Sequence, residues 1–295
     1  MPETVPDKNY GQALVDAALQ LAKAVGAIAF IVMTKDAEIL EIVSSRKDSS
    51  EAESGVNIRI LVVSPTQSEL IGNTFAEDSI DSKLLDTAST LTKHIQDKTD
   101  TKRLIGEIGE GTVVGLVSAE GADCIVVYDP AQSLLIQNIK QCIERVNFSV
   151  LRTILSIAFE LSNEGREGSP IGTGFIVGDH EEVLKRSHQI VLNPYTGQKP
   201  QDCNAINPDN RETIKEFSQL DGMFIVSKEG QILAAGRYLD VDAKGVSIPK
   251  GLGGRNVSAA AITMYTEAVA IIVSQSGGIV RFYKDGKIIG EICPL

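Results

Sequence analysis

Between residues 11 and 25, Leu14, Ala17, Ala18, Leu21 and Val25 recur at helical spacing, and the apolar run from Ala27 to Met33 follows at once. That pattern predicts a helix feeding a buried strand. Ile58 to Val63, ending at Ser64-Pro65, reads as a second strand, Leu84 to Ile95 as a helix, and Val113 to Val117 and Cys124 to Val127 as two further strands. The alternation indicates an α/β domain over roughly residues 10 to 130, with the polar stretches Ser44 to Ser54 and Lys98 to Arg103 as solvated loops. From Ser133 a helical pattern runs through Ile136, Ile139, Ile143, Val146, Val150, Ile154, Ile157 and Leu161 and stops at Gly165, with Asn147 as its weak point. This stretch, about 133–164, reads as a helix leading into a second domain.

The second half alternates again. Strands are expected at Thr173 to Val177, Met223 to Val226 and Gln231 to Ala235, with helices from Glu181 to about His188 and from Pro208 to about Leu220. A helix from Val257 to Thr266 then leads to strands Ala268 to Val273, Ile279 to Tyr283 and Lys287 to Ile292, joined by Gly277-Gly278 and Asp285-Gly286 turns. Consecutive hairpins predict a mixed sheet. The expected organisation is an N-terminal three-layer-like α/β domain over 1–132 and a C-terminal α/β domain over 133–295.

Composition narrows the function classes. The 295 residues, 43% of them hydrophobic, suffice for two cores. A net charge of −11, with Lys and Arg never clustered beyond a pair, argues against a nucleic-acid partner. Cys124, Cys142, Cys203 and Cys293 show no CxxC spacing, and the N-terminus lacks a basic start followed by an apolar run. No apolar stretch approaches the roughly 20 residues that cross a bilayer. A reduced, cytoplasmic protein with no membrane partner is expected. The three histidines, His94, His180 and His188, all precede Asp221, which excludes a His-based zinc site or a local Ser-His-Asp triad in the last quarter. His94 and His188 read as helical surface or packing residues, and His180 as a turn residue.

Candidate chemistry concentrates late in the chain. Asp221-Gly222-Met223 opens an apolar strand, and Gly251-Leu252-Gly253-Gly254-Arg255-Asn256 runs into an alanine-rich helix. Asp-Gly is ordinarily a turn, and that is the reading for Asp285-Gly286 between two strands. For Asp221-Gly222, at a helix-strand junction, a turn and a metal-binding carboxylate both stand. The glycine loop is either a mobile connection or an anion cradle, with Arg255 supplying a planar fork and Asn256 or Ser258 capping the helix. It is neither a P-loop nor a GxGxxG element.

Taken together, the residues from Asp221 to Ile292 resemble the catalytic domain of diadenylate cyclases. In that family a DGA motif opens a strand, a hairpin returns through a tyrosine-leucine segment, a G-T-R-H-R-A-A motif starts a helix and a serine-containing strand follows. The upstream GREGSPIGTGFIVGD resembles the family's first catalytic strand, so the resemblance covers roughly Ile143 to Ile292. It implies synthesis of cyclic di-AMP from two ATP molecules with Mg²⁺ or Mn²⁺, by a homo-oligomer that is at least a dimer.

Carried over residue by residue, the resemblance makes Asp221 the metal ligand and, with Arg255, the catalytic pair. Gly222 and Met223 would line the nucleotide, and Tyr238 and Leu239 would lie near the adenine. Gly253, Gly254, Arg255 and Asn256 would hold the triphosphate, and Ser274 would contact phosphate. The chain departs from the pattern at Met223, Gly254, Asn256 and Val257, and Gln275 replaces a carboxylate that some members place after the serine. These changes leave open a second reading, a nucleotide-binding sensor without turnover, and a third, an unrelated α/β scaffold. Residues Ala13 to Val127 are similar in topology to the C-terminal domain of pyruvate kinase, as in archaeal members of the family.

Overall fold

A computed structural model describes residues 10–53, 59–63, 80–119 and 122–292; the Ser64-Pro65 strand end and Cys293 lie outside these ranges. The chain divides into two compact units, one ending at Ser133 and the other beginning at Leu134.

In the first unit the order is α1 (Tyr10–Ala24), β1 (Ala29–Thr34), α2 (Ala37–Glu53), β2 (Arg59–Val63), α3 (Ile80–Leu104), β3 (Val113–Ala119) and β4 (Ala122–Tyr128). The sheet runs β2-β1-β3-β4, parallel except for the β3–β4 hairpin. Because successive β1 residues point to opposite faces, Phe30 and Val32 pack with Val15, Ala18, Ala22, Ile39 and Val43 of α1 and α2. Ala29, Ile31 and Met33 pack with Leu91 and Ile95 of α3 on the other side. Both faces of β1 are therefore covered, which is why all six of its residues are buried and the sequence shows a continuous apolar run.

Two expected loops are helical. Ser44 to Glu53 prolongs α2, whose buried Ile39 and Val43 anchor its first turns. Lys98 to Arg103 lies inside α3, where Thr99 and Asp100 are buried. Asp100 accepts hydrogen bonds from Tyr128 Oη at 2.9 Å and Ser133 Oγ at 2.5 Å, so polarity here marks buried pairing rather than a loop. Burial raises the Asp100 carboxyl above its ordinary range and pushes that of Asp97 up to about 6.

The second unit comprises α4 (Leu134–Lys140), α5 (Phe148–Glu164), β5 (Thr173–Val177), α6 (His180–Lys185), β6 (Ser187–Gln189), α7 (Arg211–Phe217), β7 (Met223–Val226), β8 (Ile232–Leu239), α8 (Gly254–Tyr265), β9 (Val269–Val273), β10 (Val280–Lys284) and β11 (Lys287–Ile292). The expected helix over 133–164 is broken. A 3₁₀ turn over Gln141–Glu144 tightens its middle, the N–H groups of Arg145 and Val146 both reach Cys142 O, and Asn147 turns to extended ψ as its N–H bonds Lys228 O.

The seven strands run β11-β10-β9-β5-β7-β8-β6, with only β5 and β7 parallel, so the sheet is mixed. On one face, Met223, Ile225, Ile176 and Ile272 pack with Val183 of α6 and Ala259, Ala260 and Ile262 of α8. On the other, Phe175 stacks on Phe224 with centroids 4.9 Å apart, Tyr195 meets both Phe217 and Phe224 edge-on, and α5 packs against β9 and β10.

Four boundary differences bear on the site. The expected helix through His188 ends at Lys185, and Ser187–Gln189 pairs with β8 as an edge strand, so His188 belongs to the sheet. The strand expected to end at Ala235 continues to Leu239, and α8 starts at Gly254 rather than Val257. The helix expected from Pro208 is a 3₁₀ turn followed by the short α7.

Candidate active site

Strand register assembles the candidate residues at one end of the second sheet. Phe175 faces Phe224 in the parallel β5–β7 pair, Thr173 faces Val273 in β5–β9, and Arg237 faces Met223 in β7–β8. Carrying these ladders a few residues outward sets Ser274, Gly172, Asp221 and Tyr238 along one rim. The N-terminus of α8 reaches the same rim, because Arg255 Nη2 donates to Asp221 Oδ1 at 2.9 Å.

Glycine makes this rim possible. Gly222 holds φ at +108°, and a Cβ there would lie 2.5 Å from Arg237 N and 2.6 Å from Gly236 C, so β8 crosses directly over it. Opposite, the register between β7 and β8 slips at a bulge with Gly236 at φ +67°, which re-aims the residues that follow. Gly172 was missed in the sequence. A Cβ there would meet Gln275 Cβ at 2.9 Å and Arg255 Nη1 at 3.5 Å, so a bare backbone forms the wall against which the guanidinium lies. The signal was present as two glycines flanking Thr173 in an otherwise apolar strand, a mark of close approach.

Asp221 is 83% exposed in its side chain, and its Oδ1 also accepts from Gly222 N at 3.0 Å. Its Oδ2 has no partner among the described residues, leaving a hard oxygen donor available to a divalent cation. Arg255 is about one-third exposed, yet its Nε is buried without a hydrogen-bond partner, as is Thr173 Oγ1 on the neighbouring strand end. Both atoms are available to a bound group.

The start of α8 fits an anion. Gly253 is the N-cap with no side-chain cap, and no acidic residue stands in the first turn, so neither Asn256 nor Ser258 caps the helix as expected. A Cβ on Gly253 or Gly254 would meet nothing within 4 Å. The chain needs no glycine there for its own packing, and open space lies over the exposed amides.

Several residues expected to touch ligand are turned away from it. Asn256 is 5% exposed and its Oδ1 accepts from the buried Tyr283 Oη at 2.7 Å, so its side chain fastens α8 to β10 rather than facing a triphosphate. The physical reason is helical geometry: one step along α8 rotates a side chain by about 100°, taking it from the rim at Arg255 into the core at Asn256. Met223 is 3% exposed and Leu239 4%, both in the core beneath the sheet, so only their backbones are available at the rim. Met223 is accommodated by Gly174, where a Cβ would lie 2.3 Å from its sulfur. Ser274 stands at the strand end, with its N–H on Ile279 O and its hydroxyl on Ser276 O at 3.1 Å. Tyr238 is exposed.

Among the described residues no group of three or more His, Cys, Asp or Glu side chains converges on a point. Any cation at Asp221 would thus need oxygens from a bound ligand, the pattern of Mg²⁺ held by one or two carboxylates and substrate phosphates. No helix of the described residues is long and apolar enough to cross a membrane.

Comparison with known proteins places the chain in a family. Residues 160–288 match the family model described as DisA bacterial checkpoint controller nucleotide-binding, and residues 13–131 match that described as "Probable sensor domain DacZ_A". A diadenylate cyclase of Methanocaldococcus jannaschii is 31% identical over 298 residues, covering 94% of each chain. One of Haloferax volcanii is 43% identical over 150 residues, 51% of this chain and 55% of that protein. A double-mutant DacA from Staphylococcus aureus aligns over 53% of this chain and 89% of its own at 19% identity, with a TM-score of 0.32, too low to inform the fold. The chain belongs to the diadenylate cyclase family of nucleotidyltransferases.

Proposed function

We propose that the chain condenses two ATP molecules into cyclic di-AMP and releases two pyrophosphates, with the Asp221–Arg255 rim as one half of the catalytic centre. The observation that carries this reading is the Arg255 guanidinium at the uncapped start of α8, paired with Asp221 at 2.9 Å and with its Nε unpartnered. Phosphate oxygens would satisfy that donor and the α8 amides, replacing Asp221 as the guanidinium's partner. The released carboxylate of Asp221 would hold Mg²⁺ or Mn²⁺ together with phosphate oxygens. Such an ion supplies charge neutralisation at the phosphates and acidifies a neighbouring hydroxyl.

The chemistry is an in-line displacement performed twice. The ribose 3′-oxygen of one ATP bonds to the α-phosphorus of the other, the bond to pyrophosphate breaks, and the hydroxyl proton passes to solvent. Gly222 and the backbones of Met223 and Leu239 would border the nucleotide, Tyr238 would lie beside the adenine, Gly253 and Gly254 would give the triphosphate its approach, and Ser274 would stand beside phosphate. Asn256 has the supporting role of locking α8 to Tyr283. One rim holds one ATP, so two chains would meet face to face to align both 3′-hydroxyls. Orientation of that kind contributes much of a transfer reaction's acceleration.

Incubating the purified protein with ATP and Mn²⁺, then resolving the nucleotides by mass spectrometry, is expected to yield cyclic di-AMP and pyrophosphate in a 1:2 ratio. ATP binding with no product under any divalent metal would replace this reading with that of a sensor. The loss of a second basic residue at Val257 is what keeps that alternative in play.

A further inference from the structure

His188 lies directly across from Tyr238 in the β6–β8 pair, their ring centroids 5.3 Å apart and tilted by 41°. Both are more than half exposed, and Asp240 flanks the imidazole with its two carboxylate oxygens 2.9 and 2.8 Å from Nδ1. A carboxylate only accepts hydrogen bonds, so Nδ1 carries the proton and, in the neutral ring, Nε2 keeps an accepting lone pair. An aromatic pair with one oriented acceptor is a platform for a planar ring that bears an amino group.

Its position agrees. Tyr238 follows Arg237, the partner of Met223, and therefore stands beside Gly222, while His188 is one strand further out. Two strand spacings, roughly 10 Å, separate the His188 backbone from that of Gly222. That is the scale from a nucleotide's α-phosphate to its base. The other exposed aromatic residues described in this unit lie elsewhere. Phe148 opens α5 beside Asn147, whose N–H bonds Lys228 O at the far end of β7, and Tyr265 closes α8 at the opposite end from Arg255.

We propose that His188, oriented by Asp240 and stacked with Tyr238, sets base specificity: Nε2 accepts from the 6-amino group of adenine and repels the 6-oxo group of a 6-oxopurine. Asp240 is a positioning residue acting through the imidazole. The inference rests on the nucleotide site described above and adds to it a residue that selects the base.

The test is calorimetric binding of 3′-deoxy-ATP and of 3′-deoxyinosine triphosphate, which lack the attacking hydroxyl, in the presence of Mn²⁺. The wild-type protein favours the adenine compound. His188→Ala weakens its binding about tenfold, the worth of one net hydrogen bond, and leaves the inosine compound unchanged or tighter. His188→Gln, which can place an amide oxygen near Nε2, recovers part of the preference. Asp240→Ala lowers it by a smaller factor and removes the Nδ1–H tautomer from the ¹⁵N spectrum of His188. An unchanged base preference in His188→Ala, with 3′-deoxy-ATP still bound, overturns this inference alone. Failure of the wild-type protein to bind 3′-deoxy-ATP overturns the cyclase reading and this one with it.

Discussion

Asp285 and Gly286 join β10 to β11 with φ of 52° and 74°, both in the left-handed region that a two-residue hairpin of the primed type demands. Their polar groups are committed to the fold: the Asp285 carboxylate pairs with Arg145 at 2.8 Å, and Gly286 N donates to Thr263 Oγ1. Asp221-Gly222 has the same two letters and a different setting. Only its glycine has positive φ, and it lies under a crossing strand. The carboxylate is 83% exposed and pairs with Arg255, for which Asp221 is the one ion-pair partner among the described residues, whereas Arg145 is held by Glu267 at 2.8 Å as well as by Asp285. A dipeptide becomes a site when its side chain has exchangeable partners, and a turn when they are fixed.

The largest stability effect expected from this contrast is at Gly222. Gly222→Ala forces a Cβ into the β8 backbone at an unfavourable φ and should cost about 3 kcal/mol or more, read as a lowered midpoint in urea unfolding. Arg255→Lys exchanges a planar fork for a point charge and should weaken 3′-deoxy-ATP binding about tenfold, with the melting temperature held within a few degrees. Asp285→Ala loses the Arg145 pair and the residue's tolerance of the left-handed region, for about 1 kcal/mol of stability, while product formation by the folded enzyme is unaffected. Gly253→Ala should leave stability nearly unchanged, since nothing stands within 4 Å, yet lower nucleotide affinity. A Gly253→Ala variant that binds normally would show that the space over α8 is not used.

Much of the fold was legible because buried strands such as Ala29–Thr34, Thr173–Val177 and Val269–Val273 have both faces covered and so read as unbroken apolar runs. The polar turns of α2 and α3 were not legible as helix, since polar runs read as loops, and in α3 the polarity comes from buried partners such as Asp100, Tyr128 and Ser133. Of the candidate site, Asp221 and Arg255 could be named in advance, but their pairing could not. It depends on the register of β5, β7 and β9 and on the bare wall at Gly172. His188 was hidden for a related reason. A three-residue edge strand has no periodicity of its own, and only its pairing with Tyr238 reveals it.

Two of the substitutions that set this chain apart from its family's motif are also explained by packing. Met223 occupies room left by Gly174, and Asn256 is bonded to Tyr283 inside the core. Neither change touches the Asp221–Arg255 pair. They are adjustments beneath the rim, and they leave its charged groups in place.

The most direct test of the central claim sets the two Asp-Gly pairs against each other in one assay. Wild-type, Asp221→Asn and Asp285→Asn proteins are incubated with ATP and Mn²⁺, and cyclic di-AMP is quantified. Product from Asp285→Asn at the wild-type level, with that from Asp221→Asn lower by on the order of a hundredfold or more, is the predicted result. Equal product from Asp221→Asn and the wild type would contradict the assignment of the catalytic rim.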